Sequence, residues 1–150
     1  MLKNSVCVFL TIMSISGACH AAGSYGTSKN VSSNMESAQL FIEKKNFVAA
    51  VKKLQIEIQI NSSDANVWNL LGFASRKLGK YDDSEKAYKR ALEINPNHKG
   101  ALEYMGELYL TLAKVKEAEN LLNKLKKLCP SGCSELNSLE KSVLAHRKSN

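Results

Sequence analysis

Apolar residues recur at helical spacing along most of the chain, beginning at Met35. Val67, Leu71 and Ala74, for example, fall on one face of a helix, with polar residues between them. The preceding segment, residues 22–34, is rich in Gly, Ser and Asn and has no apolar period. The pattern therefore predicts an all-α domain that follows a flexible leader.

The apolar pattern repeats with a period of 34 residues. Four sets of positions share this spacing: Phe47, Tyr81 and Val115; Ile60, Ile94 and Leu128; Gly72 and Gly106; and Pro96 and Pro130. A fixed period of this length is typical of stacked helix pairs. We divide the chain into units at 31–64, 65–98 and 99–132, each predicted to form one helix pair. The two prolines are expected to end the second helix of their units, because proline disfavours helix at the residue before it.

Two glycines lie inside predicted helices at the same position of successive units. Gly72 and Gly106 each cost their helix about 1 kcal/mol relative to alanine. Because the same cost occurs in two units, we predict that another helix packs closely against each glycine, where a larger side chain would hold the two helices apart. Gly79 predicts the end of one helix. Beyond Pro130, helical spacing resumes and predicts a capping helix at 133–147, which would cover the apolar end of the third pair.

The middle unit resembles a tetratricopeptide repeat. Residues on the signature positions of that family are Trp68, Leu71, Gly72, Tyr88, Ala91 and Pro96, whereas Ser75 and Ser84 depart from them. The third unit follows the pattern, and the first departs from it at Asn34, Ser37, Glu57 and Ser62. A terminal repeat is expected to be atypical because one face meets solvent. The resemblance implies a right-handed α-solenoid of three helix pairs with a C-terminal capping helix.

In this family the first helix of each pair lines a concave groove, which receives an extended or helical peptide. The resemblance therefore implies partner-binding roles for Asn69, Phe73, Arg76, Lys77, Glu103, Glu107 and Leu110. The first unit would add Met35, Gln39 and Ile42. Phe73 beside Arg76 offers an apolar anchor with a charge nearby, a chemistry that is common at binding hot spots.

The chain is basic, with 21 Lys and Arg against 14 Asp and Glu and a formal net charge of +7. An anionic surface or a nucleic acid is therefore an alternative partner, but the basic residues are scattered around helix faces rather than stacked in one stripe. The family's clamp for chaperone tails needs basic residues and Asn at positions that here include Gln39, Leu70 and Glu103. We expect a protein or peptide partner, not a chaperone tail, and no nucleic acid.

The N-terminal residues have the order of a secretory signal. Lys3 supplies a positive charge, an apolar stretch runs from Val6 to Ile15, and small residues follow up to Ala21. The stretch is much shorter than a membrane-spanning helix. We predict a signal peptide at 1–21 and a periplasmic or secreted mature chain. An alternative is lipidation of Cys19, which ends a Ser-Gly-Ala-Cys sequence like that of a bacterial lipoprotein.

Cleavage after residue 21 would leave two cysteines, Cys129 and Cys133. Exported compartments are oxidising, so this pair is predicted to form a disulfide that pins the capping helix. Two alternatives stay open: an accessory redox pair and a metal-handling site. The spacing differs from that of thioredoxin-like motifs, and no histidine lies nearby at ligand spacing.

No pattern in the sequence indicates catalysis or a cofactor. His20, His98 and His146 have no nucleophile and carboxylate arranged around them in a recognisable catalytic pattern. Phosphate-binding glycine loops and the zinc-protease motif are absent from the sequence. We therefore expect a non-catalytic adaptor without cofactor or metal.

Overall fold

The computed structural model describes residues 32–149, and within this range the chain forms seven α-helices and no strand. Their bounds are α1 Ser33–Glu43, α2 Phe47–Ile60, α3 Ala65–Lys77, α4 Tyr81–Ile94, α5 Lys99–Thr111, α6 Val115–Leu128 and α7 Ser134–Ser149. The predicted all-α architecture is confirmed. Helix α7 covers the predicted capping segment and continues two residues past its expected end at 147.

The 34-residue period of the sequence appears directly in the helix boundaries. The second helices α2, α4 and α6 begin at Phe47, Tyr81 and Val115 and end at Ile60, Ile94 and Leu128. The first helices α3 and α5 begin at Ala65 and Lys99, which are also one period apart. Each pair therefore repeats the same local structure.

Helix α1 begins earlier than the sequence pattern predicted. The Ser32 hydroxyl accepts a hydrogen bond from the Met35 amide, an N-cap arrangement that satisfies a free backbone donor. Ser32 also donates to the carboxylate of Glu57 on α2. These bonds place residues 33 and 34 in the helix, so the predicted flexible leader at 22–34 is wrong for its last residues. The remainder of that leader and the predicted signal at 1–21 lie outside the described residues.

The two helical glycines lie at close helix contacts. A Cβ atom added to Gly72 would lie 2.6 Å from Cδ1 of the Tyr88 ring, on the partner helix α4. A Cβ atom added to Gly106 would lie 2.6 Å from Cδ2 of Leu139, on α7. The predicted close packing is confirmed at both sites, and at Gly106 the close neighbour is the capping helix.

Helix α7 completes the larger of the two hydrophobic cores. Leu139 and Val143 of α7 are buried against α5 and α6, together with Leu102, Leu108 and Leu125. The smaller core joins α1, α2 and α3 around Ala38, Leu54 and Val67. Burial of apolar side chains from α7 covers the end of the third pair, which is the role predicted for the cap.

The turn inside each pair uses the same backbone conformation. Lys45, Gly79 and Ala113 have φ angles of 57°, 73° and 57°, in the left-handed region. They occupy equivalent positions, one period apart. The geometry of the turn therefore repeats even where the residue is not glycine.

Candidate functional site

The first helices of the pairs, with α7, form one face of the stack, which we call the inner face. Helix α3 contacts α5, and α5 contacts α7. The seven predicted partner-binding residues lie on α3 and α5. The structure separates them into exposed, half-buried and buried groups, and only the first two can meet a partner.

An aromatic ladder crosses the inner face. The ring of Phe73 lies 5.1 Å from that of Tyr104 on α5 and 6.2 Å from that of Phe47 on α2, measured between centroids. Phe73 is half-buried, so part of its ring remains accessible. Because aromatic pairs at these distances stabilise a fold, Phe73 connects all three helix pairs as well as offering a surface.

Two cations lie over the ring of Phe73. The Lys77 ammonium is 5.3 Å from the ring centroid, and the Arg76 guanidinium is 5.9 Å from it. Lys77 is exposed, whereas Arg76 donates to Glu107 on α5 with 2.6 Å between Nη2 and Oε2. Of these two predicted residues, Lys77 presents an accessible charge, while Arg76 and Glu107 neutralise each other.

The α5 side of the inner face is acidic. Partial burial raises the pKa of the Glu103 carboxyl; a hydrogen bond with Ser138 opposes this, and the carboxylates of Glu107 and Glu135 add to the rise. Burial also raises the pKa of the Tyr104 hydroxyl, and the carboxylate of Glu103 adds to this rise. A further negative charge from a partner would therefore be unfavourable near Glu103.

Two of the seven predicted partner-binding residues on α3 and α5 are buried. Leu110 is 8% exposed and packs in the core formed by α5, α6 and α7. Little of Leu110 is therefore accessible to a partner, contrary to the predicted role. Asn69 is 7% exposed, and its Oδ1 has no hydrogen-bond partner in the structure.

Asn69 contributes to a pocket at the edge of the inner face, with a volume of about 770 Å³. We call it the Glu57 pocket; its polar lining includes Gln39, Glu57, Asp64 and Asn69, and Met35 supplies apolar surface. The pocket lies where α1 and α3 begin and where α2 and α4 end. The sequence marked Glu57 only as a departure from the repeat pattern, and nothing in the sequence placed it beside Asn69.

The cysteine pair joins α6 to the capping helix. Cys129 and Cys133 are bonded in the structure, with their Cα atoms 5.8 Å apart, a common separation for disulfides. Cys129 is buried in the core of α5, α6 and α7, and Cys133 packs against that core. A disulfide here connects two elements that already share apolar contacts.

His98 has a structural role at the start of α5. Its Nδ1 accepts a hydrogen bond from the Ala101 amide, and its Nε2 lies 3.1 Å from Oδ1 of Asn66 on α3. Burial lowers the pKa of His98, which favours the neutral ring that this cap requires. The histidine therefore links the second and third units.

Within residues 32–149, no group of three or more His, Cys, Asp or Glu side chains is placed to hold a metal ion. In the same range, each helix is too short or too polar to cross a bilayer.

The tetratricopeptide repeat family matches residues 65–98, the pair formed by α3 and α4. The chain contains a tetratricopeptide repeat and has the all-α solenoid fold of tetratricopeptide repeat domains. Its fold is similar to that of the TPR2B domain in the yeast Sti1 complex with pHsp70, with a TM-score of 0.72. This likeness covers 78% of the chain and 95% of the Sti1 domain at 15% identity, so it describes the fold alone.

Two curated relatives are similar to parts of the repeat protein. The uncharacterized protein ycf37 of Pyropia yezoensis is 31% identical over 97 residues, which are 59% of this chain and 54% of ycf37. Tetratricopeptide repeat protein 37 of Xenopus laevis is 26% identical over 102 residues, which are 68% of this chain and 6% of the frog protein. The chain therefore spans about half of one relative and a small part of the other.

Proposed function

We propose that this repeat protein is a non-catalytic interaction module that holds a segment of a partner protein on its inner face. The observation that carries the proposal is the accessible chemistry of that face, where Lys77, Glu103 and part of the Phe73 ring meet solvent. The yeast Sti1 domain of the same fold is described in complex with pHsp70. Fold likeness supports a similar mode of binding without identifying the partner.

The partner is expected to differ from a chaperone tail. Such tails end in carboxylates and need basic residues in the groove. Here the corresponding positions include Gln39, Leu70 and Glu103. A carboxylate at Glu103 would repel an acidic tail, and Glu103 forms no ion pair with a lysine, arginine or histidine of residues 32–149.

We further propose that the chain is exported and that its signal is removed after Ala21. The charge, apolar stretch and small residues of positions 1–21 support this location. The cysteine pair fits an oxidising compartment. Lipidation of Cys19 is the alternative, and mass spectrometry of the purified mature protein distinguishes the two because a lipid adds a defined mass to its first residue.

The proposal is tested by affinity capture from the exported fraction, with residues 22–150 as bait. Lys77→Glu reverses the accessible charge of the inner face without removing a core contact, and we expect it to reduce partner recovery about tenfold. Lys116→Glu is the matched control, because Lys116 is an exposed lysine on the outer helix α6. Circular dichroism verifies that both variants fold.

Equal recovery by the wild type, Lys77→Glu and Glu103→Gln would overturn binding at the inner face. A mixed disulfide through Cys133, in place of a non-covalent partner, would favour the redox alternative. The burial of Cys129 supports a structural disulfide instead, since a buried sulfur is a poor target for thiolate attack.

A further inference from the structure

Glu57 places a carboxylate at a position of the repeat that is otherwise apolar. The equivalent residues, one and two periods later, are Ala91 and Leu125, both fully buried in the helix stack. Glu57 is itself only 5% exposed. A charged residue at such a position lowers stability unless a partner compensates its charge, so its presence requires a physical reason.

No cation in residues 32–149 compensates Glu57. Its Oε2 accepts a hydrogen bond from the Ser32 hydroxyl, which is neutral. The ion pairs of the described chain involve other acidic residues, namely Glu85, Glu93, Glu107, Glu119 and Glu140. Glu57 is therefore a buried carboxylate with one neutral donor and no counter-charge.

The described residues around Glu57 also provide negative charge without a cation. The Glu57 pocket also contains Asp64, and the part of the lining that the structure describes includes neither lysine nor arginine. Asn69 adds an amide that is only 7% exposed, and its Oδ1 has no hydrogen-bond partner among the described residues. On a chain with a net charge of +7, two carboxylates without an ion pair in residues 32–149 therefore lie beside one unpaired amide oxygen.

We propose that the Glu57 pocket receives a lysine or arginine side chain of the partner segment that binds to the inner face. A cationic side chain supplies a positive charge to the carboxylates of Glu57 and Asp64 and a donor to the unpaired Oδ1 of Asn69. Gln39 is exposed and belongs both to the pocket and to the predicted groove surface of α1, so a segment on the inner face can reach the pocket. This inference rests on the proposed function and names one feature of its partner, a basic residue.

The test uses N-acetyl-arginine amide as a probe and the neutral N-acetyl-norleucine amide as its control. Each is titrated into the isotope-labelled chain of residues 22–150, and backbone amide shifts are followed by NMR. We expect saturable shifts at Glu57, Asp64 and Asn69 with the arginine probe and none with norleucine. Glu57→Gln keeps an acceptor for Ser32 but removes the charge, and should weaken binding of the arginine probe about tenfold.

The matched control is Glu36→Gln, which neutralises an exposed carboxylate on α1 and should leave the probe affinity unchanged. Absence of saturable shifts, or equal affinity in Glu57→Gln, overturns the proposal. Thermal unfolding without probe gives an independent readout. Removal of an uncompensated charge should raise the midpoint in Glu57→Gln, whereas a lower midpoint would indicate that the carboxylate serves only to hold Ser32 and would overturn the proposal.

Lys29 of the same chain is the competing occupant, since it lies three positions before Ser32 in the sequence and outside the described residues. Lys29→Ala should leave the probe affinity unchanged. An increase of about tenfold would assign the pocket to the chain's own leader and overturn a partner residue as its occupant. The probe binds without the partner, so these results are independent of the Lys77→Glu capture experiment, and either proposal can fail alone.

Discussion

Arg76 on α3 and Glu107 on α5 form an ion pair that joins the second and third helix pairs on the inner face. Their side chains are 13% and 24% exposed, so water screens the pair only partly. Nη2 of Arg76 makes the bond to Glu107, and Nε of Arg76 has no hydrogen-bond partner among the described residues. The pair therefore stabilises the packing of the second helix pair on the third. Its contribution to the free energy of unfolding can be measured as a coupling between Arg76 and Glu107.

A double-mutant cycle of Arg76→Ala and Glu107→Ala is expected to give a coupling of about 1 kcal/mol in the free energy of unfolding. Each single variant should lose more stability than this, because it leaves the other group partly buried and unpaired. Urea denaturation provides the four free energies. The Arg90–Glu93 pair is the control, since both side chains are largely exposed, and its coupling should be no more than about 0.5 kcal/mol.

The turns inside the helix pairs give a prediction with an internal control. Ala113 has a φ of 57° at the position where the second pair has Gly79. Left-handed backbone costs a residue with a Cβ atom about 1 kcal/mol, so Ala113→Gly should raise stability by roughly 0.5 kcal/mol after the added entropy of the unfolded chain. Gly79→Ala should lower stability by about 1 kcal/mol in the same urea assay. A destabilised Ala113→Gly variant would contradict this explanation of the turn.

His98 predicts a pH dependence of stability. Burial lowers its pKa in the folded state, although the carboxylates of Asp64 and Glu135 partly oppose the shift. The unfolded pKa is about 6.5, so the folded state binds fewer protons below that pH. The stabilising effect is complete above about pH 6.5 and is lost as the pH falls through this value towards the lowered folded pKa.

The measurement is urea denaturation between about pH 7.5 and 5.5, with wild type and His98→Asn compared. Asparagine can cap α5 through its side-chain oxygen but does not titrate. We expect the stability of the wild type to fall more steeply with acid than that of the variant. Parallel curves for the two proteins would exclude His98 as the source of the acid sensitivity.

The disulfide between α6 and α7 is expected to stabilise the capping helix moderately. It closes a short loop, with a sequence separation of 4, for which loop entropy gives about 2 kcal/mol. Thermal unfolding with and without a phosphine reductant should show this loss in the wild type. A Cys129→Ala, Cys133→Ala variant should be insensitive to reductant, and a wild type that is equally insensitive would argue against a stabilising bond.

The helix boundaries were largely predictable because they depend on local information. Recurrent apolar positions, turn residues and prolines occur at fixed intervals, and each acts on the backbone within a few residues of itself. The start of α1 was the exception. It depends on Ser32 bonding both to Met35 and to Glu57, which is 25 residues away, and a local pattern contains no information about the second bond.

The candidate site was predictable only as a face. The resemblance to the repeat family placed Phe73, Lys77 and Glu103 on the groove side of the first helices, but it could not distinguish them from Leu110, which is buried in the core of α5, α6 and α7. Nor could it reveal that Arg76 is neutralised by Glu107, since the two residues come from different repeats. Exposure and pairing depend on how successive helices are rotated against one another, a property of the stack as a whole.

The repeat period, the helix pairs and the capping helix could be predicted from the sequence. Each follows from apolar spacing and backbone preferences within a short stretch of neighbouring residues. Tertiary structure alone decided which charges are compensated. Glu57 looked like an imperfection in a terminal repeat, and only packing shows it buried beside Asp64 and Asn69, with no cation from residues 32–149 next to it. Electrostatic compensation is set by distances between side chains that are far apart in sequence, so it exists only once the helices are stacked.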